Sequence, residues 1–193
     1  MGRRHQAVAI ENDDRRIQFQ RLPLAGIEDD PVFREVFDWW QRSRAGRAMP
    51  SRADVDPIEL KQSLPRLILI EVQDDPPDFR YRLAGTQSYD IHGVELTGRS
   101  VLDIRPAGQG RRLWNDLCDM LAHKEPQLVL LRFTNREGNA RSYRVMRLPL
   151  SNQGEDVDHV LVMQDFGAEA PELRKMYQDL QREDAAGLKP VRG

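Results

Sequence analysis

Cysteine is nearly absent: Cys118 is the only one in 193 residues. That excludes an intrachain disulfide framework and any multi-cysteine zinc or iron–sulfur site within one chain, and it fits a reducing compartment, so a cytoplasmic location is expected. Lysine is scarce as well, with only Lys61, Lys124, Lys175 and Lys189 among 29 basic residues. Guanidinium groups bind oxyanions bidentately, but the codon bias of a GC-rich genome explains the same preference without a ligand. An excess of charge of either sign is also missing. The formal net charge is −2, too small to create a field that draws nucleic acid, and no nucleic-acid partner is expected. No stretch approaches the roughly 20 apolar residues that cross a bilayer. The start, Met1 to Gln6, lacks the apolar core of a signal peptide, and Gln6 stands where a myristoylation signal requires Ser or Thr. A soluble protein with no membrane partner is expected.

Catalytic signatures are missing too. There is no serine nucleophile elbow, no His-Glu-x-x-His helix and no kinase motif, so an enzyme is not expected. His5, His92, His123 and His159 are scattered, with no pair at helical metal-ligand spacing, and no metal site is expected. His123 suits a helix C-terminus, where the dipole favours it. Asp74 and Asp75 sit before Pro76-Pro77 and read as turn formers.

What is present is a sequence of short periodic elements. Residues 1–28 mix both charges without sustained periodicity and read as a flexible N-terminal arm. Residues 29–63 hold two flanking helices. Asp30-Pro31 opens the first, with Phe33, Val36, Phe37 and Trp40 on one face; Asp56-Pro57-Ile58-Glu59 opens the second, which Pro65 closes. A core spans 64–167. Leu67 to Val72 reads as a strand, then a hairpin loop at Asp74–Pro77, then a strand in which Phe79, Tyr81 and Leu83 alternate with Arg80 and Arg82. The irregular stretch 86–106 packs as short helical turns, and Arg111 to His123 carries the apolar stripe of a helix. Strands follow at Gln127 to Thr134, Arg141 to Leu148 and His159 to Phe166. Residues 168–193 form a last helix, opened by Pro171 and striped with Leu173, Met176, Tyr177 and Leu180, and a tail. Without βαβ alternation, this order predicts an α+β fold on a five-stranded antiparallel sheet.

Phe79-Arg80-Tyr81-Arg82-Leu83-Ala84-Gly85-Thr86, followed by Gly93-Val94-Glu95-Leu96-Thr97-Gly98-Arg99-Ser100, resembles the front half of a PAS domain. With Trp39-Trp40 and Met49-Pro50-Ser51-Arg52-Ala53-Asp54, the chain looks like the small stand-alone PAS-like family common in alphaproteobacteria, from about Pro31 to Phe166. The resemblance implies a sheet curved over short helices around a pocket, and a non-catalytic sensory module that binds a small molecule or a regulatory protein partner and signals through its flanking helices. The alternatives are a constitutive interaction adaptor with a filled core and a small enzyme with a cryptic site near Arg82, His92 and Asp103. Haem-binding PAS domains place a histidine near the start of the long helix, where this chain reads Arg105 to Arg111; the flavin photosensors need a cysteine motif that Cys118, inside the apolar stripe, does not supply. No cofactor is expected.

On this scheme the pocket candidates are Tyr81, Leu83, His92, Trp114, Leu117, Leu130, Tyr143 and Met163. Their aliphatic and aromatic character predicts a small apolar ligand. Gly110, Arg111 and Arg112, at the start of the long helix, form a weak anion-binding candidate set against a plain loop-to-helix junction. Phe33, Val36, Phe37, Trp39 and Trp40 carry more apolar area than one helix needs to seat itself. They predict an interface, either as a homodimer seam or as a partner-docking surface. The competing reading folds both tryptophans back over the sheet.

Overall fold

The computed structural model describes residues 16–27, 30–73, 77–168 and 170–187. Residues 1–15, the loop at 74–76 and the tail from 188 lie outside the described residues, and so do the expectations placed on them. One antiparallel sheet organises the chain. Its strands are β1 (Ile17–Leu22), β2 (Leu67–Gln73), β3 (Asp78–Ala84), β4 (Gln127–Thr134), β5 (Ala140–Leu150) and β6 (His159–Asp165), in the spatial order β1-β4-β5-β6-β2-β3. The sheet therefore has six strands and not the expected five. The added strand comes from the stretch read as a flexible arm. Ile17 and Phe19 alternate with glutamines there, and the pairing of Ile17 with Phe133 and Phe19 with Leu131 lays them beside the apolar side of β4.

The first helix, α1 (Pro31–Ser43), forms where the sequence sets its start. The Asp30 carboxylate accepts the Val32 and Phe33 N–H groups at 3.0 and 3.5 Å, and Pro31 occupies the first turn, where no N–H is needed. The helix lies on the outer face of the sheet over β5 and β6. Arg144 on β5 pairs with the Asp30 carboxylate and lies over the Phe33 ring at 5.2 Å, while Trp40 donates its indole N–H to the Pro149 carbonyl at 2.8 Å. Phe33 and Val36 are fully buried, and Trp39 and Trp40 are 1% and 2% exposed; Phe37, partly buried, stacks on Trp40 at 6.2 Å. The expectation that Phe33, Val36, Phe37, Trp39 and Trp40 leave apolar area free for association is thus corrected. The sheet's outer face is itself apolar, and the helix covers it.

The second flanking helix does not form. Residues 56–63 make a succession of turns: the Asp56 carboxylate accepts the Ile58 N–H, and Glu59 reaches outward to Arg42 at 2.7 Å instead of back to the chain. Separate turns, closed by the Leu60 N–H on the Asp56 carbonyl at 3.1 Å and the Ser63 N–H on the Leu60 carbonyl at 2.9 Å, take the place of a continuous ladder, and Ile58 stands 79% exposed.

The inner face is roofed by α2 (Thr86–His92), a turn of 3-10 helix at Val101–Asp103, α3 (Ala107–His123) and α4 (Ala170–Gly187). Gly110 lets α3 press on that turn, since a Cβ there would stand 2.5 Å from the Val101 carbonyl oxygen. With helices on both sides, β5 is buried continuously from Val145 to Leu150.

Candidate functional site

Alternation along the strands decides which side chains meet under the roof. Tyr81 on β3, Ile70 on β2, Gln164 on β6, and Tyr143, Val145 and Arg147 on β5 point inward, where His92 of α2 and Gln109 of α3 close over them. Together they border a cavity with about 30 Å³ of free space, room for one or two waters. Pockets for drug-sized ligands run to roughly 300–1,000 Å³. The core in this packing is therefore close to filled.

The lining is polar to a degree the sequence did not announce. Arg147 is fully buried and donates to the Asp116 carboxylate at 2.8 Å and to the Gln127 side-chain oxygen at 3.2 Å; Gln127 in turn donates to the Asp116 carbonyl at 3.0 Å. Arg112 takes the other Asp116 oxygen at 3.0 Å and lies over the Phe19 ring at 5.5 Å, so the network runs from the cavity to the edge of the sheet. Gln109 donates to the Tyr143 hydroxyl at 3.5 Å, and Ser88 donates to Gln164 at 3.1 Å. The Gln109 side-chain oxygen and the Arg147 Nε–H make no hydrogen bond. An acceptor and a donor left unpaired on the lining of one small cavity suit a water or a small polar molecule. Burial raises the pKa of Tyr81 and Tyr143 well above the ordinary phenol value, with Arg147 pulling both back, and burial pushes His92 down to about 4. These groups are neutral at physiological pH.

The C-terminal helix completes the roof. Leu173, Met176, Tyr177 and Leu180 form its buried stripe, as their spacing predicts. Tyr177 stands edge-on to His92 at 4.8 Å and to Phe133 at 5.5 Å, and its hydroxyl, beside Gln181, makes no well-formed hydrogen bond. Polar clasps hold the helix along its length. Arg174 pairs with Asp90 at 3.2 Å, Gln181 donates to the His92 and Arg105 carbonyls, and Glu183 pairs with Arg16 and Arg136. Asp184 accepts the Ala107 N–H at 3.3 Å.

Of the expected pocket residues, Tyr81, His92 and Tyr143 come together on the cavity. Trp114 stands edge-on to Phe79 at 6.2 Å, and Leu117 is buried in the surrounding core, without lining the cavity. Leu83, Leu130 and Met163 are corrections. Leu130 pairs with Arg144 and Met163 pairs with Met146, so both face the opposite side of the sheet; a register shift in β2 next to Ile70 leaves Leu83 46% exposed. The lining mixes Ile68, Ile70, Val145 and Val162 with Gln109, Arg147 and Gln164, so a molecule held there meets polar as well as apolar groups. The anion candidate at Gly110, Arg111 and Arg112 is corrected as well: α3 begins at Ala107, a turn earlier, its first N–H is taken by Asp184, and Arg112 is held by Asp116. His92 and Asp103 border a surface cleft of about 230 Å³, but Arg82 pairs instead with Glu71 at 3.2 Å. Arg147 and Gln164 carry a signal in the sequence, a polar side chain inside an apolar run, whereas Gln109, between two glycines, and Asp116, beside Asn115, carry none.

The sheet thus carries α2, α3 and α4 over a small buried centre on its inner face and α1 on its outer face. The sequence matches the family model described as PAS domain over residues 29–163, and the chain belongs to that family. Neither β1 nor α4 falls within the match. A search of the curated proteins found no match to this sequence. Among solved structures, an RNA-binding light-oxygen-voltage receptor is similar at 17% identity and a TM-score of 0.43, over 72% of this chain. The alignment spans 40% of that receptor's length. The light-oxygen-voltage protein of Rhodobacter sphaeroides is similar at 13% identity and a TM-score of 0.41, over 69% of this chain and 93% of that one. A PAS domain from Colwellia psychrerythraea follows at 9% identity and a TM-score of 0.39, over 59% of this chain and 99% of that one. The family assignment rests on the sequence match. Among the described residues, no helix is long and apolar enough to cross a membrane.

Proposed function

We propose that the protein is a non-catalytic cytoplasmic signalling module in which the polar cavity governs the seating of α4, and a regulatory protein partner reads the helix when it lifts. The observation that carries this reading is Tyr177. One side chain of the C-terminal helix is fully buried against His92 of the cavity lining, so the state of the cavity and the position of the helix share a contact. A small polar molecule that pairs with Gln109 and Arg147 needs more space than the packed core leaves, and displacing Tyr177 supplies it. Binding and helix release are then one equilibrium.

The cavity's small volume favours a second reading, the constitutive adaptor with a filled core, in which α4 is a fixed part of the structure. Hydrogen exchange separates the two. With Tyr177→Ala, the amides of α4 are expected to exchange about 100-fold faster, while those of β4, β5 and β6 keep their protection. Equal loss across helix and sheet would show that α4 is core, and the signalling reading would fail.

A further inference from the structure

We propose that a second copy of the chain pairs antiparallel along β1, across a twofold axis through Phe19, so that the two sheets become one. The two edges of the sheet are treated differently. The outer edge of β3 is covered by its own chain: the Tyr81 N–H donates to the Arg99 carbonyl at 3.0 Å, the Gly98 N–H donates to the Tyr81 carbonyl at 2.7 Å, and Arg80 bridges to Ser100. Among the described residues the outer edge of β1 is open. The Arg16 carbonyl accepts the Thr134 N–H at 2.8 Å, which fixes the phase of the ladder: even-numbered residues turn their backbone groups toward β4, and Ile17, Phe19 and Arg21 turn theirs outward. Among the described residues, nothing pairs with those outward groups.

Strands left open in this way are normally blunted by a proline, a bulge, a lysine or an inward-pointing charge. Residues 17–22 have no proline or lysine, their register with β4 runs without a shift, and the one inward-facing charge, Arg21, is paired with Asp119 at 3.0 Å. What they do have is self-complementarity. If Phe19 sits opposite Phe19 of the second copy, Ile17 falls opposite Arg21, and every outward N–H and C=O of both strands finds a partner; a slip by two residues leaves some unpaired. Side chains agree with that register. Phe19 meets Phe19 on the inner face, and Arg21 arrives beside Ile17 with its charge already held by Asp119 at 3.0 Å. On the outer face, Gln18 meets Gln20, two exposed neutral amides. No like charges are set opposite each other. The match to a second copy is what selects this occupant over an unrelated peptide.

The test uses sedimentation velocity on the full chain. The wild type is expected to sediment at twice the chain mass. Gln18→Lys with Gln20→Lys places like charges opposite each other at both contacts, and the dissociation constant is expected to rise about tenfold or more with no change in thermal midpoint extrapolated to the monomer. Gln18→Glu with Gln20→Lys sets opposite charges across the same positions and is expected to restore the dimer. Phe19→Pro removes an outward N–H and spares the ladder to β4, so it too is expected to yield a folded monomer. A wild type that stays monomeric at every concentration, or a double-lysine variant that dimerises as the wild type does, overturns the proposal. So does a charge-swapped variant that remains monomeric while the wild type dimerises, because the register would be wrong.

Discussion

Asp116→Ala is expected to destabilise the fold by about 3–5 kcal/mol, since it leaves the buried Arg147 guanidinium without its anion. Arg147 is 2% exposed, its Nε–H is already unpaired, and its remaining partner would be the Gln127 side-chain oxygen at 3.2 Å. Nothing nearby replaces the lost charge. Removing both partners has a different outcome. Asp116→Leu with Arg147→Met leaves an apolar core of similar volume and is expected to recover most of the loss, because a buried pair stabilises little beyond the desolvation it requires. Urea denaturation of the single and double variants measures both. A single variant that loses less than about 1 kcal/mol would mean that water reaches Arg147 freely and that the cavity is not sealed.

Trp40→Ala is expected to cost a similar amount, about 3–5 kcal/mol, while the mass in solution stays that of the wild type. The ring is buried against the outer face of the sheet, and its N–H is held by the Pro149 carbonyl. Trp40→Phe retains most of the apolar area and loses the hydrogen bond, so a loss nearer 1 kcal/mol is expected. Thermal unfolding with light scattering on the same samples checks the pair. Association lost with stability kept would return α1 to the role of an interface.

The elements with strong local signals were legible in the sequence. Asp30-Pro31 and the Phe33, Val36, Trp40 spacing define α1, and the alternation from Phe79 to Leu83 defines β3. Elements that depend on a neighbour were not. Among the described residues β1 has a partner on one side only, so a single apolar pair, Ile17 and Phe19, carries its pattern between exposed glutamines, and six residues of that kind resemble loop. The destination of α1 was hidden for a related reason. Two tryptophans describe an apolar helix face, but whether it meets another chain or its own sheet depends on the outer face of β5 and β6, where Met146, Leu148 and Met163 are fully buried. The cavity was half legible. Aromatic residues marked Tyr81 and Tyr143, whereas a polar side chain in a strand, such as Arg147 or Gln164, ordinarily marks a wet face, and that rule fails where both faces are covered.

The coupling between cavity and helix is tested most directly by hydrogen exchange of the α4 amides as the pH is lowered, corrected for intrinsic exchange. With α4 seated, burial holds the His92 pKa at about 4, against an ordinary value of 6.5. Once the helix lifts, the ring is free to take a proton near its ordinary value. A depressed histidine pKa means that the lifted state binds the proton more readily, so seating is fully stable above about pH 6.5 and weakens progressively toward pH 4. A shift of this size corresponds to roughly 3 kcal/mol across that window, or about 100-fold in exchange. The account predicts that α4 loses protection over this range before β5 and β6 do, and that His92→Phe, which keeps a buried ring beside Tyr177 but cannot be protonated, abolishes the pH dependence. Helix and sheet losing protection together, or an unchanged pH profile in His92→Phe, would contradict it.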